Sequence, residues 1–187
     1  MAWRLLAAPL AAQEPADDPP RRAPTHRALN LTIGGYGISV GNSAAVNGVR
    51  LNFRDAGLRR VNGINATLWR PVEPLSGSIN GLAVGIAGPG ADQINGVAVG
   101  LGAVVTEDRL RWVSLAGLAT VTLGGLDGVS VSGLATVAQG RTSGVHVAGL
   151  AVVTQSRFRG IAAAGLATVA QGDIAGFAFG GLATGSR

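Results

Sequence analysis

The sequence predicts an all-β fold, and within that class a repetitive β-solenoid of about 16 residues per coil; three observations carry this. The octapeptide GLATVAQG stands at 133–140 and again at 165–172, and the stretches beginning at Leu126, Thr142, Phe158 and Ile174 align on one 16-residue frame. Inside each unit the apolar letters alternate with small or polar ones, the period-two signature of a strand. Finally, 30 glycines and only 4% aromatic residues mean that each position can fill little volume, so the predicted core is thin.

Along the chain, residues 1–12 (MAWRLLAAPLAA) combine a basic start with a short apolar run and read as a truncated secretory signal. Residues 13–29 are rich in proline and charge and read as a disordered linker. The repeat domain is assigned to 30–187. GYGISVGN at 35–42 opens the series, and units led by Val46, Val61, Ile79 and Ile94 follow at spacings that drift between 15 and 18. At 111–125 the frame holds, with Trp112 where the other units carry the leading glycine. The repeat is interrupted at RDAGLRR, RPVEPLSGS and TEDRLR, which makes those turns the expected recognition loops.

Within one unit, Val129 and Val131 match Val145, Val147, Phe177 and Phe179 on one face, while Ser130, His146 and Ala162 occupy the other. The expectation is that the apolar face is buried and the small, polar face solvated. A second glycine at 117, 133, 149, 165 and 181 is expected to be a corner between strand 128–132 and strand 134–138. Stacked coils would then lie about 4.8 Å apart in a rod on the order of 40 Å long. The alternative treats that glycine as mid-strand, giving ten-residue strands in an antiparallel barrel or hairpin sheet. Either the corner resets the facing, or Leu118, Leu134, Leu150, Leu166 and Leu182 form an exposed apolar ridge, which implies a lipid or protein partner.

Little here points to catalysis. With no cysteine, thiol nucleophiles and cysteine-based metal sites are excluded, and no ligand cluster or cofactor motif stands in the sequence. His26 falls in the linker, and His146 is expected on a solvated face. Asp92, Asp127 and Asp173 sit singly in turns, and Glu107 and Asp108 read as a solubilising loop rather than a glycosidase pair. GPGADQING lacks the Lys-Ser/Thr of a phosphate loop, and Ser114, Ser130 and Ser132 have no base in register. The chain is therefore expected to be non-enzymatic and to need no cofactor.

Two surfaces are candidates for interaction. Thr120, Thr136, Thr168 and Thr184 recur at one place in the unit and would form a ladder resembling the ice-binding faces of antifreeze solenoids. The second is basic: Arg54, Arg59 and Arg60, with Arg50 and Arg70, account for much of the net charge of +5 and could meet an anionic polymer. With so few aromatics to stack bases, nucleic acid is a poor fit.

The pattern [IV]-N-G-[VIL]-x-[VAI]-G-[IL], clearest at 79–86 and 94–101, resembles the short Asn-Gly repeats of bacterial surface repeat proteins such as the leptospiral surface-repeat family. That resemblance covers about residues 46–187 and implies an exported, cell-surface protein; it brings no functional residues with it. The functional expectation is a structural or adhesive surface element, with an outer-membrane barrel and an ice-binding solenoid as alternatives. Expected partners are further copies pairing through open solenoid ends and the membrane or cell envelope.

Overall fold

Each regular repeat folds into one coil of a long and a short strand, and the coils stack through parallel backbone hydrogen bonds in a computed structural model that describes residues 28–33 and 36–186. The signal-like start, the linker up to residue 27 and His26 lie outside the described residues. Sixteen strands run in order: β1 (Ala28–Ile33), β2 (Tyr36–Gly41), β3 (Ala45–Asn52), β4 (Arg60–Thr67), β5 (Ser78–Gly85), β6 (Gly90–Gly100), β7 (Ala103–Ala116) and β8 (Ala119–Thr122), then β9 (Gly125–Ser132), β10 (Ala135–Ala138), β11 (Thr142–Ala148), β12 (Ala151–Thr154), β13 (Phe158–Ala164), β14 (Ala167–Ala170), β15 (Ile174–Gly180) and β16 (Ala183–Ser186).

The long strands β2 to β7, β9, β11, β13 and β15 form one parallel wall, in which Val129 pairs with Val145 and Val145 with Ile161. The short strands β8, β10, β12, β14 and β16 extend a second wall from the first half of β7, with Ala135 opposite Ala151 and Ala151 opposite Ala167. Among the described residues only β1 and β2 pair antiparallel, so β1 covers the outer edge of β2. The antiparallel barrel is not the architecture: Gly133 lies at the corner between β9 and β10, where the solenoid reading needs it.

The leading glycines have a physical role that their spacing alone does not show. Gly144 has φ +115°, and a Cβ there would lie 1.9 Å from the carbonyl oxygen of Gly128 in the coil below. Only glycine fits such a close approach at positive φ. Trp112 occupies the same rung, between Gly96 and Gly128, at φ 90°. A tryptophan in that region is an outlier, and its ring projects to solvent with 72% of its surface exposed.

Facing is the main correction to the sequence reading. Ser130, His146 and Ala162 are fully buried, whereas Val129, Val131, Val145 and Val147 point outward and remain about 40% exposed. A 16-residue coil leaves a slot only wide enough for short side chains, so volume, not polarity, decides which face turns in. Most of the larger buried apolar residues sit at the start of the long strands, in a column running from Val61 through Ile79, Ile94, Leu110, Leu126 and Thr142 to Phe158.

Candidate interaction surface

The interior is polar, and many of its hydroxyls are paired, Thr106 and Thr122 being exceptions. Ser114 and Thr120 hydroxyls lie 2.9 Å apart, Ser130 and Thr136 3.0 Å, and Ser132 donates to Thr120 at 3.0 Å. Thr120 and Thr136 are thus buried facing the serines of the opposite wall, and Thr168 is buried in the same column, donating to the Phe179 carbonyl at 2.7 Å. The expected ice-binding ladder is therefore not a surface. Thr184 alone of the four is exposed, because its rung has no further coil stacked on it among the described residues.

His146 also lies inside, edge-on to Phe158 with ring centroids 5.9 Å apart, and not on a solvated face. Burial lowers its pKa to about 4, against the opposing pull of the Ser143 carbonyl and Asp127. The imidazole is thus neutral at physiological pH; its Nε2 lies 3.2 Å from the Ser143 carbonyl oxygen and its Nδ1 has no hydrogen-bond partner.

The basic cluster divides in three. Arg50 is fully buried and belongs to the core: it donates to Asp55 at 2.6 Å, to Asn65 at 2.7 Å, to Asn42 at 2.8 Å and to the Ser43 carbonyl at 2.9 Å. Asp55 is satisfied in turn by Asn52, Asn65 and Thr67. This network fills the interior where loops 53–59 and 68–77 replace the short wall, and with every polar group paired it has the marks of a structural plug. Arg54 and Arg70 stand together beyond the ends of β3 and β4, bordering one recess with Glu73. Arg59 and Arg60 lie at the start of β4, about 23 Å away along an eight-residue strand.

Acidic side chains gather only loosely. Asp92, at the register shift between β6 and β7, has its pKa raised by burial and by neighbouring Asp108 and Glu107. Asp108 accepts from Gln93 and Glu107 from the Leu75 amide, and no group of three or more potential ligands able to hold a metal occurs among the described residues.

What remains is the exterior, and its chemistry is unusual. Two outward columns run the length of the long wall, one from Ile38 to Phe177 and one from Val40 to Phe179, joined at the corner by the leucine ridge. Leu134 keeps 45% of its surface exposed and Leu182 83%, so the glycine corner does not turn these leucines inward. The outer side of the short wall is also apolar, carrying Ala135, Val137, Ala151 and Val153. Polar side chains outside are confined to rows: an asparagine ladder, Asn62 to Asn47 at 2.7 Å, Asn80 to Asn62 at 2.9 Å and Asn95 to Asn80 at 3.0 Å, continued by Arg111, Asp127 and Ser143. The sequence did contain this surface: the valines are expected in the core, while an exposed leucine ridge is one of the two outcomes expected at the corner.

Comparison with known protein families, with curated proteins and with solved structures returned no match.

Proposed function

We propose that this chain is a non-enzymatic structural and adhesive element of the exported, cell-surface kind, which lays the outer face of its long strands against an apolar partner in the cell envelope. The observation that carries the reading is the inverted solenoid: hydroxyls and amides inside, and two apolar columns outside, built of valine, isoleucine, leucine and phenylalanine with alanine at Ala66 and Ala163. Over nine rung spacings these columns extend about 43 Å, at or beyond the largest apolar patch of an ordinary soluble monomer. The signal-like start and the likeness of the Asn-Gly repeat to bacterial surface repeat proteins support the same reading. Self-association through the ends of the stack, by strand pairing with a further copy, belongs to the same reading.

The test is co-flotation of the full chain with phospholipid vesicles, set beside a variant carrying Val129→Gln, Val131→Gln, Val145→Gln and Val147→Gln. All four side chains point outward, so the circular dichroism of the variant should match that of the parent. The parent should float with vesicles, and the variant should stay in the soluble fraction. A parent that sediments as a free monomer and ignores vesicles would sink the proposal.

A further inference from the structure

The irregular loops of the first coils build something that the later, regular coils lack. Along the second outward column the residues are Val40, Leu51, Ala66 and Val84 on β2 to β5. Ala66 stands where β9 and β11 carry Val131 and Val147, so the floor dips there. Phe53, Leu68 and Ile86, from the segments that follow β3, β4 and β5, stand along one side of the dip. Together with Val40, Leu51 and Ala66 they bound a groove of about 570 Å³, within the size range of small-molecule sites.

Beyond Phe53 the groove is bordered by positive charge. Phe53 stacks on Trp69 at 6.4 Å with the ring planes nearly parallel, and the Arg54 guanidinium lies 5.9 Å from the centre of the Phe53 ring. Arg70 follows Trp69 directly, and Arg54 and Arg70 flank the adjoining recess of about 290 Å³. Two guanidinium groups against the single carboxylate of Glu73 leave that recess positive. An apolar trough bordered by positive charge is complementary to an amphiphile with one chain and one negative head.

We propose that this groove binds a single long-chain carboxylate, its alkyl chain along Ala66 and its head against Arg54 and Arg70. A groove of this volume with positive charge at one place on its border suits a single amphiphile with a negative head. The site stands apart from the long-wall contact proposed above, since Val129 to Val147 lie on β9 and β11.

The experiment is equilibrium dialysis of the full chain against radiolabelled hexadecanoate below its micelle range, with hexadecanol as the uncharged probe. The parent chain should bind about one hexadecanoate. Ala66→Phe fills the floor and should weaken binding about tenfold, a loss of about 1.4 kcal/mol. Ala163→Phe, at the equivalent outward position on β13 but without flanking loops, should leave it unchanged. Arg54→Glu with Arg70→Glu, both at exposed positions, should weaken hexadecanoate about fivefold and leave hexadecanol unaffected. The proposal is overturned if the parent binds no hexadecanoate, if Ala66→Phe binds it as the parent does, or if charge reversal leaves its affinity unchanged. It is equally overturned if the groove variants abolish flotation with anionic vesicles while hexadecanoate binding persists, which would assign the groove to the bilayer.

Discussion

At the scale of single residues, the two positions that say most are a glycine and a histidine. Gly144 is one of a column of glycines at positive φ whose missing Cβ gives room to the carbonyl of the coil below. Gly144→Ala puts a methyl within 1.9 Å of the Gly128 oxygen, an approach that backbone cannot yield to cheaply, so the variant should lose about 3 kcal/mol of stability. The denaturant midpoint, read at unchanged slope, measures this. His146 makes stability depend on pH. Its pKa in the folded chain is about 4, below the 6.5 of the free side chain, so between these values the unfolded chain holds more protons than the folded one. Its contribution is therefore complete above pH 6.5, declines as pH falls toward 4, and is constant below, a span of about 3 kcal/mol. His146→Ser, which copies Ser130 in the same column, should flatten that part of the curve relative to the parent in parallel urea titrations at pH 7 and pH 4.5.

The element scale shows how a period-two pattern is turned around. Alternation in Val129-Ser130-Val131 was legible, as were the corner at Gly133 and the short strand after it. Which face turned inward was not, because alternation has two solutions and hydrophobicity favoured the wrong one. The slot between the walls settles it: hydroxyls from Ser130 and Thr136 meet at 3.0 Å, a separation that leaves no room for two facing leucines. Two substitutions separate the faces. Ala162→Leu forces a larger side chain into a fully buried position and should cost about 1–3 kcal/mol. Val145→Gln, one residue from His146 but outward, should stay within about 0.5 kcal/mol of the parent. If thermal melts rank the two the other way, the facing described here is wrong.

For the whole molecule, the stack makes each coil depend on its neighbours, and the first and last rungs differ from the rest. At the first rung β1 runs antiparallel against β2, a reversal for which the sequence offers no signal beyond a glycine pair at 34–35. Between β3 and β6 the coils widen around longer loops, and the Arg50–Asp55 network occupies the space that aliphatic side chains and hydroxyls fill elsewhere. The basic residues that looked like one cluster in sequence are therefore dispersed: one buried, two beside the apolar groove, and two at the opposite end of a strand. The threonine ladder underwent the reverse change, from an expected outer surface to an inner seam.

The sequence by itself determined the repeat, its 16-residue frame, the stacking of like residues on like, and the absence of bulky groups from most of the core. Those features follow from local chemistry: glycine where φ is positive, small residues where walls are close, and apolar residues at every second place. Only the tertiary structure decided the side on which the valines and leucines lie, which arginine is paired, and where the outer wall dips into a groove. Each of these depends on the distance between two walls that meet through sixteen residues of chain, and that distance is set by packing across the coil, which no single strand encodes.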